Sequence, residues 1–368
     1  MIDFSTLQCL SIPDGVVTQI ADASGRVLWT LSAATNEPAA IFEVAKQVSN
    51  TYAGETTYEN EEFILIDIYP KKFGTVKVTY GGLTKTIVDT SGAEEPNAQK
   101  VYFGTLYGVA DSVATPASGR LTIEGAYRGY GGATFTSGSG KAALGFAYPV
   151  KRIIDFGNPV YIGARMFYGY SHAITSLPNG IATIGAYAFY NCTNLALTSL
   201  PSGLASIGEY AFYGCTNLAL TSLSSGLKSI GSYAFRYCSS LALSVIPEGV
   251  TTIGDYAFAM KNRSETAMRY GSITLPSSLT SIGQDAFAIP REDEAPYDDL
   301  VYSYLSEVIL LATTPPAIPD SNVFGSAANI YYQNGEAGRV VVPAGCMETY
   351  KAAENWLRYM DMRGVEAS

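Results

Sequence analysis

The chain has 368 residues, of which 47% are hydrophobic and 15% charged, and a formal net charge of −10. That length calls for more than one core, and the composition is that of a folded protein. The negative balance argues against nucleic acid or an anionic membrane as partner. A single histidine, His172, narrows hydrolase and metal chemistry, which draws on imidazole.

The N-terminal "MIDFSTLQCLSIPDGVV" has neither the basic n-region nor the apolar h-region of a signal peptide. No run reaches the roughly 18 apolar residues of a membrane span, so no membrane insertion is expected. Residues 1–32 read as a β-hairpin segment. In "VVTQIADASGRVLWTL" alternating apolar positions flank Asp22, Ser24 and Gly25, and Trp29 is expected on the buried face.

Residues 33–148 read as a β domain. "FILIDIYP" is a strand that ends at Pro70, and "TVKVTY" and "LTKTIVD" flank Gly81-Gly82, a two-residue turn that needs positive φ. "KVYFGTLYGV" and "GRLTIEGAYRGYGGATF" supply further strands. Short strands punctuated by turns predict a small sandwich of the immunoglobulin-like kind. "GSGKAALG" (138–145) is no phosphate loop: Phe135 stands where a glycine is needed and Ala142 where Ser or Thr is needed. A flexible link between domains is expected there.

Residues 149–368 repeat. The unit Ile-Gly-x-x-(Ala/Met)-Phe begins at Ile162, Ile184, Ile207, Ile230, Ile253 and Ile282, with spacings of 22, 23, 23, 23 and 29. A fixed period in the twenties is the signature of a solenoid, in the range of leucine-rich repeats. In "LALTSLPSGLASIGEYAFYGCTN" the apolar positions Leu197, Leu200, Leu204, Ile207, Ala211, Phe212 and Cys215 are expected to point inward. "LTSLP" and "LASIG" read as two short strand pieces turned by Pro201 and Gly203. Gly208 lets the backbone turn out of the second, and "EYAFYGC" closes the coil as a helical turn. One coil cannot bury its face alone, whereas six stacked coils with capped ends can.

Ile-Gly-x-Tyr-Ala-Phe-x-x-Cys, followed by Leu and then Leu/Ile-Pro, resembles the BspA-type leucine-rich repeat of bacterial surface proteins. "TTPPAIPDSNVF" and "VVVPAGCMETYKAAENWLRY" resemble the C-terminal coil that ends such arrays. The likeness covers roughly residues 150–362. The expected fold is therefore mostly β with short helical turns: a β domain, then a leucine-rich-repeat solenoid with a C-terminal cap. The resemblance implies adhesion or partner binding at the cell surface, no catalytic residues and no cofactor.

Cys192, Cys215 and Cys238 fall one per coil, with Tyr170 in their place in the first. Small buried thiols are expected, rather than disulfides or a metal site: three in a row cannot all pair, and tetrahedral sites want four ligands. Cys9 and Cys346 complete an odd total of five. Tyr187, Tyr210, Tyr233 and Tyr256 form an aromatic column, read as stacked packing or as an exposed sticky surface. Thr183, Ser206, Ser229, Thr252 and Ser281 form a hydroxyl column, and Ser176, Ser199, Ser222 and Thr274 another. His172 reads as a surface residue. Asn191 and Asn262 match the glycosylation pattern.

Two insertions break the period. Residues 259–272 carry Lys261, Arg263 and Arg269, and residues 288–303 carry Glu292, Asp293, Glu294, Asp298 and Asp299. Both leave just after a repeat phenylalanine, so they are expected to protrude side by side. They read as solvated loops of opposite charge, as a partner-binding protrusion or, for the acidic loop, as a calcium site.

The function expected is a non-catalytic interaction protein that binds a protein or glycan of a host or neighbouring cell, at an extracellular or surface location. The alternative is a phage-like virion or tail component, or a cytoplasmic protein. An enzyme on the β domain would need two facing carboxylates, for which Asp67 and Glu124 are the candidates.

Overall fold

The structure, a computed structural model, describes residues 7–11, 19–22, 27–30, 37–48, 62–106, 109–132, 135–136, 143–144, 150–260, 271–289, 302–303, 305–319, 323–324 and 339–367. Three strands come first, β1 (Leu7–Ser11), β2 (Gln19–Asp22) and β3 (Val27–Thr30), antiparallel in that order. The expected hairpin is the β2–β3 pair. The side chain of Trp29 lies outside the described residues.

The next strands are β4 (Glu37–Ala45), β5 (Gln47–Val48), β6 (Glu62–Pro70), β7 (Thr75–Tyr80), β8 (Leu83–Val88), β9 (Gln99–Leu106), β10 (Val109–Ala110), β11 (Ser118–Gly125) and β12 (Tyr127–Gly132). The short pair β13 (Phe135–Thr136) and β14 (Ala143–Leu144) follows, and then β15 (Val150–Asp155). One sheet has the order β15-β4-β11-β7-β8, and a second begins β10-β9-β6-β12 with β5 also on β6. Gly81 (φ 57°) and Gly82 (φ 82°) make the β7–β8 turn, as their positive φ requires. Phe42 on β4 meets Tyr130 on β12 at 5.2 Å, and Tyr80 on β7 meets Phe103 on β9 at 5.7 Å, so the two sheets share a core. The stretch expected as a flexible link contains β14, which pairs with β13.

The second sheet does not stop at β12. Gly129 and Tyr130 pair in parallel with Tyr161 and Ile162 of β16 (Tyr161–Ile162). From there one rung per repeat extends it: β17 (Thr183–Ile184), β18 (Ser206–Ile207), β19 (Ser229–Ile230), β20 (Thr252–Ile253) and, after β21 (Gly271–Leu275), β22 (Ser281–Ile282). Each rung pairs isoleucine with isoleucine and hydroxyl residue with hydroxyl residue. β15, which follows residue 148, pairs back onto β4. The remaining elements are β23 (Ala288–Ile289), β24 (Tyr302–Ser303), β25 (Leu305–Leu310), β26 (Arg339–Val342), α1 (Met347–Ala352), α2 (Leu357–Arg363) and β27 (Gly364–Glu366).

The coil closes without a helix, contrary to the helical turn expected of "EYAFYGC". In the third repeat Ala211, Tyr213 and Cys215 donate their N–H groups to Gly208, Tyr210 and Phe212, three residues back. These are overlapping β-turns, and Tyr210 (φ 54°) and Gly214 (φ 69°) sit in the left-handed region at the third position of the first and last. The reason lies between coils. Tyr210, Phe212 and Gly214 send their own N–H groups to the carbonyls of Ser232, Ala234 and Arg236 on the next coil, at 2.9, 2.8 and 2.8 Å. A helical turn would direct those donors along its own axis and leave the neighbour's carbonyls unanswered. The "LTSLP" piece likewise forms no regular strand.

The repeat glycine has a different role from the one expected. Gly208, with no positive φ, is kept by proximity. A Cβ on it would lie 2.7 Å from backbone atoms of Gly185 and Ala186, and one on Gly231 would lie 2.5 Å from the carbonyl carbon of Gly208. Successive coils touch backbone to backbone at this corner. Inside, Phe167, Phe189, Phe212, Phe235, Phe258, Phe287 and Phe324 form one stack with centroid spacings of 5.1 to 5.8 Å. Burying each ring contributes about 1.5–3 kcal/mol.

Both ends of the stack are closed by aromatic residues. Phe42 lies 6.0 Å from Phe167 at the N-terminal end. At the other end Trp356 and Tyr359 lie 6.1 and 5.5 Å from Phe324. Trp356 Nε1 donates to Pro316 O at 2.7 Å, and Tyr350 Oη to Ala312 O at 2.8 Å. A seventh, irregular coil precedes this cap: Ala317 bridges to Ser281, and Phe287 N donates to Val323 O.

The cysteine column is structural. Cys192, Cys215 and Cys238 are free and buried, and each thiol donates to the phenylalanine carbonyl one coil back, at 2.8, 3.0 and 3.0 Å. A small side chain with a weak donor suits a corner that has both a tight wall and an acceptor. Burial pushes the thiols of Cys215 and Cys238 well above their ordinary range.

Two outcomes follow from this packing. Gly231→Ala should lower stability in urea by about 1–3 kcal/mol by forcing coils apart. Gly226→Ala should change it by less than about 0.5 kcal/mol, since its nearest contacts are 3.5 Å away and its φ is ordinary. Equal losses at the two sites would refute the close-approach account. In the native protein at pH 8, an alkylating agent followed by peptide mapping should leave Cys215 and Cys238 unmodified, and both should react once urea unfolds the chain.

Candidate functional site

The left-handed turn position places a half-buried side chain at the outside of the first five coils and a buried one, Asp285, in the sixth. That position holds Arg165, Tyr187, Tyr210, Tyr233, Tyr256 and Asp285, with φ between 48° and 59° throughout. Non-glycine residues occupy this region at a cost of about 1–2 kcal/mol. Here the four tyrosine rings stack along the column, at centroid spacings of 4.7, 4.4 and 4.9 Å and interplanar angles of 9°, 2° and 16°.

A second column runs beside the first, three residues on. Tyr168, Tyr190 and Tyr213 stack at 4.4 and 4.6 Å. Arg236 takes the next rung, with its guanidinium 5.4, 4.6 and 5.2 Å from the rings of Tyr233, Tyr237 and Tyr256. Arg165 lies over Tyr187 at 4.8 Å. The columns touch: Tyr187 and Tyr190 are 5.7 Å apart, and Tyr210 and Tyr213 are 5.6 Å apart. All eight tyrosines, with Arg165 and Arg236, are half-buried. The result is a rigid tyrosine face across the coils, with a guanidinium at each end.

Stacking uses up the ring faces. What the surface offers is ring edges and phenol hydroxyls, repeated at the spacing of the coils. Burial raises the pKa values of Tyr168, Tyr187, Tyr190, Tyr210 and Tyr256, to about 12 for Tyr210 and Tyr256. The hydroxyls therefore remain protonated donors at physiological pH. At the far end Tyr256 donates to Asp285, whose carboxyl is pushed up by burial against the opposing pull of that bond and of Arg236. The Nε of Arg236 is buried without a hydrogen-bond partner.

The sequence singled out the first column but missed the second. The signal was present six residues after the first four repeat isoleucines, as Tyr168, Tyr190, Tyr213 and Arg236. The hydroxyl column Thr183 to Ser281 is in register, with Ser206 and Ser229 Oγ atoms 3.4 Å apart. The other column is interrupted, because Val245 is the residue that pairs with Thr274.

The two carboxylates weighed for catalysis are not brought together. Asp67 lies on β6 between buried Ile66 and Ile68 and pairs with Lys100 at 3.1 Å. Glu124 lies on β11, next to buried Ile123, in the other sheet. Each faces away from the shared core, on opposite outer surfaces. His172 is exposed, with its ring 5.4 Å from that of Tyr170.

Lys261, Arg263, Arg269, Glu292, Asp293, Glu294, Asp298 and Asp299, together with Asn262, lie outside the described residues. The points where their segments leave and rejoin the coils are described. Met260 N donates to Ala288 O at 3.3 Å, and β21 pairs with β25. Among the described residues, no three His, Cys, Asp or Glu side chains converge as metal ligands. No described helix is long and apolar enough to cross a membrane.

The raised phenol pKa values fix a pH dependence. A group whose folded pKa lies above its unfolded value of about 10 stabilises the fold fully below that pH, and the contribution fades as pH rises through the folded value. Absorbance titration at 295 nm should show a tyrosine class ionising near pH 12, with loss of stability beginning above pH 10. Complete titration at pH 10 in the folded protein would contradict the stacked geometry.

Comparison with known proteins identifies the repeat. No curated protein matches the chain. Among solved structures it is similar to a leucine-rich repeat protein from Bacteroides ovatus ATCC 8483, at 19% identity over 60% of this chain and 68% of that one, with a TM-score of 0.21. It is also similar to a leucine rich cell surface protein from Faecalibacterium prausnitzii A2-165, at 18% identity over 64% of this chain and 86% of that one, with a TM-score of 0.24. Residues 160–290 match the BspA type leucine rich repeat region in six copies.

Proposed function

We propose that the chain is a non-catalytic interaction protein of the bacterial cell surface, an adhesin-like module that binds a protein ligand through the outer face of its repeat solenoid. The observation that carries this reading is the tyrosine face with Arg165 and Arg236. Tyrosine and arginine are the residues enriched where protein interfaces concentrate their binding energy. Stacking has already immobilised these side chains, so docking costs little further rotamer entropy.

The chemistry favours a peptide surface over a sugar. A sugar ring that needs an open aromatic face finds the faces already stacked. Backbone and carboxylate oxygens of a protein find a row of phenol donors and two guanidiniums. We assign an auxiliary role to the insertions that carry Lys261, Arg263, Arg269 and the five acidic residues from Glu292 to Asp299, because they leave and rejoin adjacent coils. The virion reading has no observation on its side.

The test screens the full chain against arrays of extracellular-matrix proteins and of glycans. Protein hits should weaken by at least about tenfold, or about 1.4 kcal/mol, for Tyr190→Phe/Tyr210→Phe/Tyr213→Phe combined with Arg236→Ala. The phenylalanines keep the stacking and remove the donors. Unchanged binding by this variant, or hits confined to glycans, would overturn the assignment to this face.

A further inference from the structure

The outer face of the C-terminal parallel sheet carries a row of β-branched residues in register. Val245 pairs with Thr274, Thr274 with Ile309, Ile309 with Val341 and Val341 with Val365. Strand alternation sends Ile273, Val308 and Val340 into the core and turns this row outward. Val245 is 49% exposed, Val365 38%, and Leu311 beside the row 44%. One and two periods upstream the same place holds exposed Ser222 and Ser199. Hydroxyl residues satisfy the coil there, so coil formation does not require the change to apolar residues. An exposed apolar strip of this kind marks an interaction surface.

The charges select the occupant. Two residues before Ile309 and Val341, on the same outer face, stand Glu307 on β25 and Arg339 on β26, paired with each other. Consider a two-fold axis parallel to the strands and lying over the line between β25 and β26. It exchanges β25 with β26 and β21 with β27. Ile309 then lies on Val341 of the other copy, Thr274 on Val365, and Glu307 on Arg339. The face is complementary to itself in both apolar row and charge, which is the requirement for an isologous contact.

We propose that this face docks a second copy of the chain, sheet on sheet, with strands aligned and the apolar rows in contact at the roughly 10 Å spacing of packed sheets. Glu307 and Arg339 of both copies then close a four-charge ring at the edge of the row. The dimer displays two tyrosine faces, and a ligand array bound by both gains avidity without any new contact.

The experiment is sedimentation and light scattering of the full chain over a range of concentrations. The expected mass is twice the 39.2 kDa of one chain. Ile309→Lys and Val341→Lys should each weaken the dimer by at least about tenfold with an unchanged circular dichroism spectrum. The charge test is independent of the apolar row. Glu307→Arg alone and Arg339→Glu alone should each give monomer, an equimolar mixture of the two should restore the dimer, and so should the double variant in one chain. A full chain that remains monomeric to about 100 μM overturns the proposal and leaves the face to a foreign protein. So does a dimer indifferent to both lysine variants.

Discussion

Every coil owes its shape to one requirement, that the backbone N–H groups of its turn corner reach carbonyls of the next coil. Phe189, Phe212, Phe235 and Phe258 each donate across to the following coil at 2.7 to 2.8 Å. Meeting that requirement sets the distance between coils at about the spacing of paired strands. The phenylalanine stack, the glycine contacts and the tyrosine columns all inherit it. The left-handed residues are its local cost, since only by reversing φ there does the turn aim its donors along the stack. A tyrosine bears that cost because its ring gains a stacked partner on each side.

A stack of this kind has open ends by construction, and the two ends here are closed differently. At the N-terminal end a strand of the antiparallel sandwich, β12, serves as the rung before the first repeat. Gly129 and Gly131 are what allow it. A Cβ at Gly129 would lie 2.0 Å from the carbonyl oxygen of Tyr161, and one at Gly131 would lie 2.9 Å from Gly163. Tyr69 and Tyr161 then meet over Gly129, at 4.6 Å. At the C-terminal end two short helices and the turn between them lay Tyr350, Trp356 and Tyr359 across the last coil, where indole and phenol groups answer the carbonyls of Pro316 and Ala312.

The repeat was legible in the sequence because its constraint recurs. Isoleucine, glycine, phenylalanine and cysteine each return at the same place, and a periodic demand writes a periodic text. The two-residue turn at Gly81-Gly82 was legible for a local reason, since positive φ at both positions leaves little but glycine. Other features escaped for equally physical reasons. Gly208 looked like a turn residue, because steric contact with a coil 23 positions away leaves no local trace. The helical closure expected of "EYAFYGC" failed because bonding between coils, which leaves no local trace, decides how the turn donors point. Arg165, Arg236 and Asp285 were passed over because each breaks its column, yet those breaks give the tyrosine face its charged ends. The union of β12 with β16 had no signature other than glycines, which sit in a stretch that reads simply as one more strand.

That union has a mechanical consequence. The bonds joining one coil to the next run along the stack axis, so a pull along that axis loads them in tension and not in shear. Coils would then peel away singly from an end, each releasing a 23-residue length, about 80 Å when drawn out. Under load the chain behaves as an extensible tether that yields in steps, while the antiparallel sandwich, cross-bonded in another direction, remains an anchor for the coils still in place.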